Sequence, residues 1–397
     1  MKSLFVGFVL SFAIASAATT ELLAPTPQPD AFYGWNVAAS GNTLAVIQGN
    51  NATEIYLYEP TVKSWNSPKL VAELTTSTGA AFSNVAIYGN VVIAGAPAGS
   101  ANPGAVYGYI EPKGGWQNAT ESFTLTASDG ANGDNFGFSV AISAKTIVVG
   151  ANMHVVNGIQ QGAAYVFAEP ASGWATAPQT AKLTPSDHRT DFGQSVGVNG
   201  PVAVVGSIGL NGGSVYVFQE TVGGWQNSTE TAQLTDSSCQ GLGQAVAIWE
   251  NTIVAGSEWC NASVDVYNRP GSAWQSMSAP TAYLSSSKTI YCVPYRNCFG
   301  SSLALTNKFL LVGAPYATTS SNIHVKPTGY AFVFDAPQGG WQSVVNAVSN
   351  EMIEPGGGFA QSRFGFSVAA ESTGVLFIGA PALTVDGDAF AGAVVIK

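Results

Sequence analysis

Residues 136–174 read FGFSVAISAKTIVVGANMHVVNGIQQGAAYVFAEPASGW, and AKLTPSD follows at 181–187. Within this stretch lie four short β-branched and aromatic runs: SVAI, TIVVGA, GAAYVF and AKLT. Gly, Pro and Asn punctuate them, which is the signature of short strands joined by turns. The phrase recurs. Aligned on the Val of SVA, its copies fall at Val37, Val85, Val140, Val196, Val246, Leu303 and Val368. A Trp closes six of these units, at positions 65, 116, 174, 225, 274 and 341. Self-similarity at a period near fifty residues means a repeat architecture, so the fold must be read from the period before any local feature.

Tight turns join the first two strands of a unit, as at Ser40-Gly41-Asn42, Tyr88-Gly89-Asn90 and Asn199-Gly200, and they suit hairpins with positive φ. Strands one to three are close to continuously apolar, which predicts sheets covered on both faces. Seven such antiparallel sheets in a ring form a β-propeller and leave few open edges. The last unit ends in GAVVIK at 392–397 and lacks its fourth strand. Near the amino end, Glu21-Leu22-Leu23-Ala24 stands ahead of Tyr33 as Leu183 stands ahead of Phe192. The amino-terminal strand is therefore expected to complete the seventh blade. An open solenoid would need polar caps at both ends, and GAVVIK is not one. The fold expectation is all-β: a seven-bladed propeller of four-stranded antiparallel blades over residues 18–397.

Residues 1–17 read as a signal peptide. Lys2 precedes the apolar run LFVGFVLSFAI at 4–14, and Ala15-Ser16-Ala17 forms a small-x-small cleavage site. The run falls short of the ~20 residues needed to span a bilayer, so a secreted, extracellular chain is expected. Sequons at Asn51, Asn118, Asn227 and Asn261 are glycosylation candidates. Two of them share one phrase, GGWQNATES and GGWQNSTET. The four cysteines predict two disulfides in an oxidising compartment. Of the three pairings, Cys239–Cys260 with Cys292–Cys298 is the expected one.

Charged residues are only 10% of the chain, and its formal net charge is −10. This argues against nucleic-acid binding, which needs a cationic surface. Three His, no HExxH, GxSxG, P-loop or CxxC, and few charges to perturb one another argue against catalysis. His188, inside Asp187-His188-Arg189-Thr190-Asp191, is the one carboxylate–His neighbourhood able to do acid–base work; a solvated loop is the expected reading.

FGFSVAI, FGQSVGV, FGSSLAL and FGFSVAA, with VVIAGAP, FLLVGAP and VLFIGAP, resemble the FG-GAP repeats of the integrin α-subunit head and of many secreted propellers. The resemblance runs over essentially all of residues 18–397, although units 1, 2 and 5 are degenerate. It implies a seven-bladed propeller that meets partners through one face. It also implies calcium in an Asp-rich loop between strands one and two. Here that connection is a tight turn without an acidic cage, so no metal and no cofactor are expected. The acids at Asp129 and Asp134, and at Asp386 and Asp388, lie in other loops with too few carboxylates. The Phe and Gly of FG, the GAP turn and the GW aromatics are expected to be structural wedges.

Strand order puts connections one-to-two and three-to-four on one side, with Asn118 and Asn227. The other side holds the long, varied connections at 152–162, 285–298, 317–329, 345–363 and 382–392, and all four cysteines. Varied loops on a rigid scaffold are where binding usually resides. The candidate ligand contacts there are Trp259, Tyr291, Tyr295, Arg296, His324 and Lys326, with His188 and Arg189 beside them. The expectation is a secreted, non-catalytic binding or adhesion module for an extracellular protein or glycan. An extracellular hydrolase or lyase, and a wall or matrix component, are the alternatives. Carboxylates converging at the channel mouth, alone or with His188, would mark the enzyme.

Overall fold

The computed structural model describes residues 19–49, 51–62, 64–209, 212–257, 263–292, 298–322, 325–355 and 359–397. Seven sheets form the blades, each with antiparallel strands one to four ordered outward; blade 5 departs from the expected four strands, because Ala347–Val348 from blade 6 adds a parallel fifth strand beside Ala282–Ser285. Blade 3 is representative: Phe136–Ser143, Thr146–Ala151, Ala163–Ala168 and Ala181–Leu183. Blade 7 is assembled from both ends of the chain. Val368–Ala370, Leu376–Ala380 and Ala393–Ile396 are joined at the outer edge by Thr20–Leu23, with Leu22 opposite Val394 and Leu23 opposite Ala393. The ring therefore cannot open without breaking a strand pairing.

Second strands are buried along their length, as TIVVGA and VAVVGS illustrate, with only Phe309 at the start of the blade 6 strand half-buried. First strands depart from the expected continuous burial: AVAIW and SLAL are mostly half-buried. The reason is position, because strand one lines the central channel. Core clusters form between blades rather than within them. One joins Val148, Val166 and Leu183 of blade 3 to Phe192, Val198, Tyr216 and Trp225 of blade 4 or its approach. The Phe of FG is buried at Phe136, Phe192, Phe299 and Phe364, and all six unit-closing Trp are buried. These are the wedges that the repeats predict.

The two glycines of FG and GAP serve one close approach. Gly206, ending strand two of blade 4, lies against the carbonyl of Gly243 at the entry to blade 5; a Cβ there would sit 2.0 Å from that oxygen. The pair recurs at five other junctions. Between blades 1 and 2 both partners are missing together: Ile47 stands at the Gly206 position and Ser83 at the Gly243 position. Ser195 Oγ then donates to the Gly243 carbonyl at 2.7 Å, as Ser139 does to Gly193, Ser302 to Gly365 and Ser367 to Gly34.

A second stitch holds the outer rim and explains the GWQN phrase. The Oδ1 of Asn118 in blade 2 accepts the Glu73 N–H of blade 1 at 2.8 Å, and Asn227 in blade 4 accepts from Lys182 of blade 3 at 2.7 Å. Thr176, Ser276 and Asn346 hold the same place at three more junctions. The phrase is thus an interblade clasp as well as an exposed loop.

Cys292 and Cys298 are disulfide-bonded to each other. Cys239 is also disulfide-bonded, while Cys260, its expected partner, lies outside the described residues. Residues 1–17 and Asn261 lie outside them too. Asn51, Asn118 and Asn227 are exposed. No helix among the described residues is long and apolar enough to cross a membrane.

Candidate functional site

Each blade enters strand one through the phrase FG-x-S-V. The x position faces the central channel at the end where the long loops gather. Trp35, Phe138, Gln194, Gln244, Ser301 and Phe366 line this mouth, one per blade; blade 2, with Phe82-Ser83-Asn84-Val85, is one residue shorter and has none. The cavity holds about 430 Å³. Aromatic residues come from blades 7, 1 and 3, and amides or a hydroxyl from blades 4, 5 and 6. The mouth is therefore apolar on one arc and neutral-polar on the other. No carboxylate, imidazole, amine or guanidinium lines it among the described residues. The repeats hide this ring, because x sits within a phrase whose other members are structural. The available signal is its variation inside an otherwise uniform motif.

The expected contacts of units 5 to 7 are only partly described. Trp259, Tyr295, Arg296 and His324 lie outside the described residues. Tyr291 is exposed and its strand pairs with Ala317–Thr318, so it sits on the loop face of blade 6. Lys326 Nζ reaches Gln361 Oε1 at 2.9 Å. His188 is exposed and approaches Gln161 Oε1 at 3.3 Å. Arg189 folds back onto Asp187, its Nε donating to Oδ2 at 3.1 Å. Asp187 also accepts from Tyr216 and Gln233. The polar run at 187–191 is thus more tied down than a solvated loop.

Asp129 and Asp134 also depart from the expected solvated acids. Asp134 is buried, and its Oδ2 lies 2.7 Å from His154 Nδ1 and accepts from the Ala131 N–H at 2.7 Å. The His154 Nε2 then accepts from Lys182 Nζ at 2.7 Å, and Lys182 pairs with Asp129 at 2.6 Å. Asp129 accepts a further bond from the Tyr165 hydroxyl. Asp134 at Nδ1 and Lys182 at Nε2 hold the ring in one orientation. Burial works against ionisation of Asp129, but the hydrogen bonds from Lys182 and the Tyr165 hydroxyl, with the Lys182 charge, hold that carboxyl below its usual range. The network locks the 152–162 connection to the outer strand of blade 3. Its members are all partnered, which suits a brace better than a reactive centre.

Blade 5 carries a different device. Asp265 occupies the register position of Tyr165 in blade 3, between Ala255 and Tyr283. It is buried, and burial followed by the neighbouring Asp236 pushes its carboxyl up to about 7. Asp236 lines a cavity of about 790 Å³ between blades 4 and 5, together with Arg189, Gly212, Gln240 and Ser278.

The family model for the FG-GAP repeat matches residues 120–167 and 178–218. Each match runs from the outer strand of one blade to the third strand of the next. No curated protein matches the chain. Among solved structures, the WD40 β-propeller domain of Doa1 is similar with a TM-score of 0.54 over 96% of this chain and 97% of that one, at 12% identity. That likeness is one of fold.

Proposed function

Because the chain carries FG-GAP repeats on a seven-bladed β-propeller, we propose that it is a secreted, non-catalytic binding module of the adhesion type. Its loop-rich face captures an extracellular protein or glycan. The observation that carries this reading is the contrast between the two faces. One is built of tight turns and interblade clasps, and the other combines the long connections, Cys239, Cys292 and Cys298, and the open mouth. The Cys292–Cys298 bond supports an oxidising compartment, and the leader at residues 1–17 supports export. Glycans at Asn51, Asn118, Asn227 and Asn261 fit the same route. Trp259, Tyr291, Tyr295, Arg296, His324, Lys326, His188 and Arg189 are the proposed ligand contacts.

The enzyme alternative has its discriminator in the mouth, whose described lining offers no group that exchanges a proton near neutral pH. The test orients the chain on a surface. Lys113 is exposed on the tight-turn side and Asp386 on the loop side. Coupled through Lys113→Cys, the protein should capture extracellular ligands. Coupled through Asp386→Cys, it should lose capture. The opposite pattern, or equal capture in both orientations, refutes the assignment.

A further inference from the structure

We propose that the channel mouth is a subsite for a neutral saccharide, with the aromatic arc as the stacking platform and the amide arc as the hydrogen-bonding wall. This rests on the binding-module reading above and names its ligand class.

The aromatic arc continues out of the channel. Trp35 and Phe366 meet at 4.5 Å between ring centroids, Phe32 lies edge-on to Trp35 at 6.2 Å, and Phe390 stacks on Phe32 at 5.6 Å. Phe390 is 40% exposed. The rings thus form a strip from the mouth to the outer surface at the junction of blades 7 and 1. Beside it the Arg363 guanidinium lies 5.8 Å from the centre of the Tyr316 ring.

Backbone strain marks the same place independently. The residue before the FG dipeptide has left-handed φ in several blades, and it is Asn135, Asp191 or Gly241 in blades 3, 4 and 5. Those types tolerate that region. In blade 1 the position holds Phe32 at φ 52°, in blade 7 it holds Arg363 at φ 57°, and Phe390 itself has φ 57°. Bulky residues rarely persist there unless the surroundings hold them, and such outliers gather at ligand clamps.

The chemistry of the lining selects the ligand. A sugar ring offers an axial C–H face to an aromatic ring and hydroxyl edges to neutral donors and acceptors. Across the mouth, Gln194 accepts from Asn152 through Oε1, which turns its Nε2 hydrogens toward the channel, and Gln244 and Ser301, whose hydroxyl donates to the Gly313 carbonyl, continue the neutral-polar wall. An acidic glycan would find no cation in the mouth and would meet a chain of formal charge −10. A cavity of about 430 Å³ is of the size that encloses small ligands.

The test titrates the full mature chain with neutral di- to tetrasaccharides of hexose and N-acetylhexosamine, and with uronate-bearing or sulfated ones, by calorimetry and Trp fluorescence. Neutral probes should bind. Trp35→Ala should weaken them at least tenfold, and Phe390→Ala, at an exposed position, several-fold with an unchanged melting temperature. Trp35→Phe, which keeps a ring, should restore most of the binding. Gln194→Ala should weaken it as well, while Tyr88→Ala, exposed in the blade 2 tight turn on the opposite face, should change it less than twofold. The proposal falls if neutral saccharides do not bind, if only acidic ones do, or if the Trp35 and Phe390 variants bind like the wild type. If oriented capture of extracellular protein through the loop face persists in any of those cases, the subsite fails and the binding-module reading stands.

Discussion

Asp265→Asn should make the protein more stable at pH 8 and leave it unchanged near pH 4. Asp265 is 1% exposed. The Tyr267 hydroxyl lies 3.3 Å from its Oδ2, and its Oδ1 meets no N–H or O–H donor. The remaining groups that face it are the carboxyl of Asp236 and the Tyr283 phenol. Two carboxyls side by side cannot both ionise cheaply, so the pair retains a proton, and burial together with the Asp236 charge sets the Asp265 carboxyl at about 7. In the unfolded chain an Asp titrates near 3.9. Between these values the unfolded chain has released the proton while the folded chain still holds it. The stability tied to this group is therefore complete below about pH 4 and is lost as pH rises through about 7.

A gap of roughly three pH units corresponds to at most about 4 kcal/mol at 1.36 kcal/mol per unit. Asn has the same shape, carries no proton-dependent charge and can donate to Asp236. The difference between variant and wild type should thus be near zero at pH 4 and grow to a few kcal/mol by pH 8. Thermal unfolding midpoints of both proteins, taken in half-unit steps from pH 4 to 8.5, measure it. Burial also raises Glu21, Glu111 and Glu371, but these move both proteins alike and cancel in the difference. A difference that stays flat across the range, or a variant that is less stable at pH 8, would refute the shared-proton account.

Gly206→Ala places a Cβ 2.0 Å from the Gly243 carbonyl oxygen and 2.4 Å from Ser195 Oγ; the hydroxyl can turn away, but the backbone carbonyl cannot. It should cost about 3 kcal/mol or more, whereas Gly114→Ala, with no atom within 4 Å, should stay within about 0.5 kcal/mol; urea midpoints that move equally would remove the close-approach argument. Deleting Thr20–Leu23 should expose the Ala393–Ile396 edge, lower the melting temperature and promote self-association through the bare strand. Hydrogen exchange at 393–396 and light scattering read the outcome, and unchanged protection there would show that closure does not depend on this strand.

The fold was legible because its signals are local and repeated. Phrases such as TIVVGA and AAYVF identify strands by β-branched and aromatic content, and Gly41, Gly89 and Gly200 do take the positive φ that their turns predict. The pairing of Leu22 with Val394 followed from counting strands per unit. The sites were less legible. Asp129 and Asp134 read as ordinary loop acids because their partners His154 and Lys182 come from other segments of the blade. Asp265 was silent for the same reason: nothing within SVDVY announces that Asp236 will face it. Even the GWQN phrase, visible as a repeat, gave no hint that Asn118 and Asn227 bond to the preceding blade.

Sequence alone determined how many blades there are, where their four main strands lie and how the ring is closed. Those features depend on side-chain character along one stretch of chain and on its recurrence. Only the tertiary structure decided what meets across a blade junction or around the channel. The ring of Trp35, Phe138, Gln194, Gln244, Ser301 and Phe366 exists because closing the circle carries one residue from each of six units to a common mouth. Contacts of that kind are fixed by the geometry of the whole ring, and no single repeat contains it.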